Sequence, residues 1–247
     1  MSDMDSNGWP QTGRNRALRA IRKGFAVHLA GDQHLGSTVR YGIETWGDAG
    51  YALCVPSVAN FWPRRWYPAV PGANREPSAP RYTGDYEDGF GNKITVLAVS
   101  NPTRSGKEPA RLHDRAPGYG IARFDRVTRS ITLAAWPRWA DATRGDPPYG
   151  GWPLRINQTD NYARTGSGYL PTVVVVGLPE PVIQVADGTT GEIVYTLRPA
   201  DSTFTPMVFT PGPHILRVGE PGSTRWRAFE GLMPGAPGAD TLVVSFE

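Results

Sequence analysis

The segment FAVHLAGDQHLGS, residues 25–37, carries the strongest fold signal in the chain. Residues 25–30 are apolar apart from one histidine and too few for a helix, so they predict a buried strand that ends at Gly31. The preceding segment, residues 14–24, has helical spacing of its apolar side chains and ends in Gly24, which predicts a short amphipathic helix. A helix, a buried strand and a polar loop in this order are typical of a layered α/β fold.

Asp32 and His34 follow directly after the predicted strand. In open α/β sheets, ligands and reacting groups gather at the carboxyl ends of strands. An imidazole and a carboxylate two positions apart are ligands that suit borderline divalent metals. The alternative is a turn in which Asp32 accepts hydrogen bonds from backbone amides and His34 is a half-buried polar residue. Both interpretations are compatible with the residues alone.

Two further apolar runs, residues 51–60 and 93–102, predict two more buried strands, and the first of them ends at Asn60. Arg64 and Arg65 follow in a loop rich in tryptophan and proline. Because the guanidinium fork matches phosphate oxygens, Asn60, Arg64 and Arg65 are candidates for binding an anionic substrate. The alternative is that the aromatic and proline residues pack the loop while the arginines are solvated.

The second half of the chain has the alternating pattern of short strands. Residues 118–139 predict a hairpin with its turn at 125–129. From about Leu170 onward, short alternating runs are separated by glycine and proline turns, which predicts a small β-sandwich. The fold class expected from the sequence is therefore α/β but mostly β, with one domain over residues 1–160 and an accessory β-sandwich domain over residues 168–247.

Composition excludes several classes of protein. The content of 39% hydrophobic and 20% charged residues is that of a globular chain, and 29 glycines with 24 prolines favour short strands and long loops. The net charge of +3 is small, and no basic stripe accompanies a nucleic-acid-reading motif. One cysteine, Cys54, excludes an internal disulfide framework and a cysteine-rich zinc site. No apolar run has the length of a membrane span, and no signal peptide is visible.

The segment from residue 3 to residue 40 resembles the alkaline phosphatase D (PhoD-like) metallophosphatases of the calcineurin-like metallophosphoesterase superfamily. In that family, a loop with an aspartate, a glycine and an aromatic–proline pair precedes a helix that begins near an arginine, and a buried strand then ends in G-D-x-H. The corresponding residues here are Asp5, Gly8, Trp9, Pro10, Arg14 or Arg16, Gly31, Asp32, Gln33 and His34. The resemblance implies that His34 binds a metal and that Asp32 acts near the metal or the substrate.

The other metal-binding motifs of the superfamily, D-x-H, G-D-x-x-D, G-N-H-D/E and a further histidine motif, do not precede Asp32 and are not restored downstream. The resemblance therefore implies that residues 1–160 are the carboxyl-terminal portion of a metallophosphatase domain. A complete family member uses two divalent metal ions to activate water and to hydrolyse phosphate esters. Family members are commonly exported, but the sequence leaves the localisation of this chain unknown.

Two functions are expected from these observations. The first is a partial metal-dependent phosphoesterase, inactive alone, whose metal site and phosphate-ester substrate require a partner chain or a missing amino-terminal half. The second is a non-catalytic binding module whose β-sandwich recognises a polymer or a protein. The strand at 25–30 would lack a neighbour in such a partial domain, so self-association, a partner chain or poor solubility is expected. A monodisperse monomer with a high, cooperative melting temperature would contradict this expectation.

Overall fold

A computed structural model describes residue 8 and residues 10–59, 64–101 and 116–247. These residues contain seventeen strands and one α-helix, so the predicted class, α/β but mostly β, is confirmed. The chain divides into two compact units. Unit 1 comprises residues 1–19, 26–125 and 130–163, and unit 2 comprises residues 20–25, 126–129 and 164–247. No helix in the described parts of the chain is both long and apolar enough to cross a membrane.

The secondary structure begins with one helix and continues with strands. The first elements are α1 (Gln11–Arg22), β1 (His28–Ala30), β2 (Ser37–Tyr41), β3 (Tyr51–Cys54), β4 (Gly84–Glu87), β5 (Lys93–Val99), β6 (Gly118–Phe124), β7 (Ser130–Pro137) and β8 (Leu154–Asn157). The strands of unit 2 are β9 (Gly168–Tyr169), β10 (Thr172–Val176), β11 (Val182–Asp187), β12 (Ile193–Leu197), β13 (Thr203–Phe204), β14 (Met207–Val208), β15 (His214–Gly219), β16 (Trp226–Leu232) and β17 (Thr241–Ser245). Two short 3-10 helices, Ala142–Arg144 and Thr159–Tyr162, follow β7 and β8.

A five-stranded sheet of unit 1 has the strand order β1-β3-β2-β5-β4. β1 and β3 are parallel, whereas β2 is antiparallel to both β3 and β5. Ala30, Cys54, Ser37 and Val99 consequently form one row across four strands. Because β1, β3 and β5 run in the same direction, their carboxyl ends lie at one edge of the sheet.

The core of unit 1 is built around the predicted hairpin. β6 and β7 pair from Gly118 with Pro137 to Phe124 with Ile131, which confirms that prediction, and β8 extends the sheet on the other side of β7. Leu133 in β7 is fully buried, and Leu53 and Ala98 of the five-stranded sheet belong to the same hydrophobic cluster. The two sheets of unit 1 therefore share one core.

The predicted buried strand over residues 25–30 is wrong in its extent and in its burial. Phe25 has a positive φ of 53° and belongs to unit 2, where its ring meets the Tyr195 ring edge-on at 5.3 Å. The strand begins only at His28, and Leu29 is 50% exposed. Among the described residues, β1 pairs with β3 alone and is the outer strand of the sheet. A short apolar run cannot reveal how many neighbours its strand has, which explains the error.

The arginines of α1 do not all lie on a solvated flank of the helix. Arg22 is buried. Arg14 donates hydrogen bonds to the carbonyl oxygens of Gly42 at 2.7 Å and Lys93 at 3.2 Å, and its guanidinium lies over the Tyr41 ring. Burial lowers the pKa of Arg14, and nearby Tyr41 acts in the opposite direction. Arg14 therefore anchors the start of α1 to the loops at the ends of β2 and β5.

Unit 2 contains the sheets that its alternating pattern predicts. A four-stranded sheet has the order β12-β11-β15-β16, and a three-stranded sheet has the order β13-β10-β17. In β15, His214, Leu216 and Val218 are fully buried, whereas the residues between them are only partly buried. Alternation of this kind is the property of a strand with one face in the core. His214 is the first residue of β15.

Buried His214 is expected to make the stability of unit 2 depend on pH. The dominant effect, burial, lowers its pKa from the ordinary 6.5, although the Gly212 carbonyl and the Asp187 carboxylate act in the opposite direction. The unfolded chain therefore takes up this proton at a higher pH than the folded chain does. The stabilisation is present above the unfolded pKa and is lost as the pH falls towards the folded pKa.

Urea denaturation of the wild type and of His214→Gln, at pH values between about 7.5 and 5, measures this dependence. The wild type is expected to lose more unfolding free energy on acidification than the variant. His28→Gln, which replaces an exposed histidine, is the matched control and should keep the wild-type pH dependence. Equal pH dependence in the wild type and in His214→Gln would contradict the prediction.

Candidate functional site

The loop over residues 31–36 carries Asp32 and His34 and joins β1 to β2. Because β3 lies between these two strands in the sheet, the loop crosses the carboxyl end of β3. The end of the loop is fixed to the strand end of β5, where Gly36 and Ser100 exchange two hydrogen bonds of 2.9 and 2.8 Å. A β-carbon at Gly36 would lie 2.8 Å from the Pro56 ring, so this close approach requires glycine. The structure thus places both residues at the predicted strand end.

The Asp32 side chain is exposed and its backbone is in the left-handed region, with φ of 66°. Among non-glycine residues, aspartate and asparagine adopt this conformation most readily. The next residue, Gln33, accepts a hydrogen bond on its carbonyl oxygen from the Ser57 hydroxyl at 3.3 Å. This bond holds the middle of the loop against the segment that follows β3. The carboxylate of Asp32 is therefore presented to solvent from a fixed loop.

Cys54 lies at the end of β3 beneath this loop and is only partly buried. Burial raises the pKa of its thiol, the Asp32 charge raises it further, and the Gln33 amide acts in the opposite direction. A thiol with a raised pKa is protonated at neutral pH and is a poor nucleophile or metal ligand. The raised pKa therefore disfavours the thiolate form of Cys54 at neutral pH.

The structure brings the segment of Arg64 and Arg65 to the same edge of the sheet. Both arginines are exposed and immediately precede Trp66. The Asn101 side chain accepts a hydrogen bond from the Trp66 amide at 2.7 Å and donates one to the Trp66 carbonyl at 3.0 Å. Asn101 follows the carboxyl end of β5, so this clamp fixes the segment near the row that ends at Val99. Asn60, the third predicted substrate ligand, lies outside the described residues.

Sequence reasoning missed Asn101 because the predicted strand over residues 93–102 includes it, whereas the observed β5 ends at Val99, two residues earlier. A buried amide that pairs with both backbone groups of one distant residue replaces two ladder hydrogen bonds. Its exposed fraction is 5%, which shows that the interaction is shielded from water. Asn101 therefore helps to position the arginine segment relative to the strand ends.

Asp32 and His34 match a divalent metal in kind, because carboxylate oxygen and imidazole nitrogen are suitable donors. They do not match it in number. Across the described ranges, no group of three or more His, Cys, Asp or Glu side chains is arranged to hold a metal ion. A structural or catalytic metal takes at least three protein ligands in most sites. Within the described residues, these two side chains thus offer donors of a suitable kind but fewer of them than a metal site usually takes.

Comparison with known families, with curated proteins and with solved structures finds no match for this chain. The resemblance to the PhoD-like metallophosphatases therefore rests on the residues that carry it and stays a prediction. Two of those residues, Asp5 and Trp9, lie outside the described residues. The positions of Asp32, His34, Arg64 and Arg65 are structural observations, and the roles assigned to them are hypotheses.

Proposed function

We propose that this chain contributes the Asp32–His34 motif to a metal-dependent phosphoesterase centre and does not hydrolyse phosphate esters alone. The observation that supports this proposal is the open outer edge of β1. Among the described residues, this strand pairs on one side only, and the loop that carries Asp32 and His34 follows its carboxyl end. A further parallel strand along β1 would bring its own carboxyl end, and any ligands there, to the same edge.

The residues of this edge have complementary tasks in the proposed centre. Asp32 supplies an exposed carboxylate and His34 an imidazole, and together they provide two of the ligands that divalent metal ions would need. Arg64 and Arg65 would bind the phosphoryl oxygens, since planar guanidinium groups pair with phosphate in two places. Divalent metal ions would activate water in the completed centre. The chain alone lacks the ligand number for that step within its described residues.

Titration of the isolated chain with Zn²⁺, followed by NMR of the histidine imidazoles, tests the proposal. Two protein ligands should give weak binding, with a dissociation constant on the order of 1 mM. His34→Ala and Asp32→Ala should each weaken this binding about tenfold or more. His28→Ala, which removes an exposed histidine from the strand that precedes this loop, is the matched control and should bind as the wild type does.

Hydrolysis of bis(p-nitrophenyl) phosphate by the same samples is expected to stay at the rate of buffer with the metal alone. Turnover by the isolated wild type that is lost in His34→Ala would show a complete centre and contradict the proposed incompleteness. Zn²⁺ binding unchanged in His34→Ala would contradict the metal role itself. The better interpretation would then be the alternative function, recognition of a polymer or a protein by unit 2.

A further inference from the structure

A partly open cavity of about 340 Å³ lies in unit 1 where the chain leaves β7. Its volume is within the range of small-molecule sites. The side chains that define its chemistry are two aromatic rings, three prolines and one carboxylate, namely Trp139, Tyr149, Pro137, Pro147, Pro148 and Asp146. None of the residues that line it is a lysine, an arginine or a histidine. The cavity therefore combines apolar walls with a single negative group.

The Tyr119 hydroxyl fixes the segment that contributes Trp139 and Ala140 to the cavity. This hydroxyl donates a hydrogen bond to the Ala140 carbonyl oxygen at 2.9 Å and accepts one from the Ala142 amide at 3.1 Å. The Tyr119 ring in turn stacks on Trp136, with 5.9 Å between ring centroids and an interplanar angle of 11°. A wall that is held in this way does not need to be ordered by a ligand, which reduces the free-energy cost of binding.

The lining residues Asp146 and Tyr149 are also fixed by hydrogen bonds. The Trp136 indole donates to the Asp146 carbonyl oxygen at 3.0 Å, and the Asp141 amide donates to the Asp146 carboxylate at 2.7 Å. The Tyr149 hydroxyl donates to the Pro117 carbonyl oxygen at 3.0 Å. Among the described residues, none forms an ion pair with the Asp146 carboxylate.

Trp139 presents a large aromatic surface at this cavity, and 46% of the residue is exposed. An indole face attracts cations through the negative potential above the ring, and this attraction is strongest for tryptophan among the aromatic residues. Asp146 adds a full negative charge on the same cavity. An anionic ligand would be repelled by this carboxylate, and a metal ion would find too few oxygen ligands on walls of proline and aromatic rings.

We propose that this cavity binds an organic monocation whose charge is carried by an alkylated ammonium group. The methyl or methylene groups of such a cation would contact Trp139, Tyr149 and the prolines, and the charge would be compensated by Asp146. This site uses none of the residues assigned to the phosphoesterase centre, so the two proposals stand or fall separately.

Saturation-transfer NMR and isothermal titration calorimetry with choline test the proposal on the full chain. The uncharged isostere 3,3-dimethylbutan-1-ol has the same shape and is the ligand control. Choline is expected to bind about tenfold or more tightly than the isostere. Trp139→Leu should weaken choline binding about tenfold, and Asp146→Asn, which keeps an oxygen for the Asp141 amide, about fivefold.

The matched protein control is Trp46→Leu, which replaces another exposed tryptophan of unit 1, 41% exposed, and should leave choline binding unchanged. Circular dichroism of each variant shows whether it is folded. Equal affinity for choline and its isostere would overturn the cation assignment. Absence of choline binding at about 20 mM, or binding unchanged in both Trp139→Leu and Asp146→Asn, would overturn the site.

Discussion

Gly219→Ala is expected to lower the free energy of unfolding by about 4 kcal/mol, one of the largest effects of any single substitution in unit 2. Gly219 ends β15 with φ of 129°, a conformation that residues with a β-carbon rarely adopt. A β-carbon there would lie 2.0 Å from the Arg225 carbonyl oxygen and 2.9 Å from the Phe246 ring. Because Gly219 pairs with Trp226 in the sheet, the backbone cannot yield without opening the contact between β15 and β16.

The matched control is Gly222→Ala in the turn between the same two strands. Gly222 also has a positive φ, 76°, but a β-carbon there would meet no atom within 4 Å. Only the conformational cost remains, about 1 kcal/mol. Urea denaturation followed by far-UV circular dichroism measures both variants. Similar losses in the two variants would show that the crowding at Gly219 is relieved by movement and that the predicted difference is wrong.

Several strands of unit 2 could be predicted from the sequence because they alternate more and less buried residues over a short distance, as β10, β12 and β15 do. The five-stranded sheet of unit 1 was harder to predict. β4 lies within a stretch that reads as one long loop, since its sequence, GDYE, is polar and it is an outer strand. β2 contains Thr38, whose buried hydroxyl accepts a hydrogen bond from the Trp152 indole at 2.8 Å. The indole that bonds to this buried hydroxyl is 114 positions away, so no local sequence pattern can show that the hydroxyl has a hydrogen-bond partner.

The candidate site shows the same division between local and distant information. The positions of Asp32 and His34 at a strand end follow from an apolar run that stops at a glycine, which is a local signal. The position of β1 at the edge of the sheet does not follow from any local signal, because the burial of a strand depends on neighbours that are far away in the chain. The clamp between Asn101 and Trp66 joins residues 35 positions apart. The sequence therefore predicts which residues stand at the edge but not what holds them there.

Leu133→Ala is expected to lower the free energy of unfolding of unit 1 by about 3 kcal/mol. Leu133 is fully buried in β7, between β6 and β8, and belongs to the cluster that also contains Leu53 and Ala98. Truncation removes apolar contacts and leaves a cavity, and paired strands on both sides of β7 limit how far the backbone can collapse into it. The loss of unfolding free energy should therefore include the cost of a cavity that the neighbouring side chains refill only in part.

Val70→Ala is the matched control, because Val70 is 72% exposed in the same unit and its truncation should change stability by less than about 0.5 kcal/mol. Urea denaturation followed by tryptophan fluorescence measures both variants. Since β7 leads directly into the residues that line the cavity, choline binding to folded Leu133→Ala also reports on its walls. Unchanged affinity together with lost stability is the expected result, because the hydrogen bonds of Tyr119 and Trp136 hold those walls independently of Leu133. A stability loss no greater than that of Val70→Ala would contradict the assignment of Leu133 to the centre of the core.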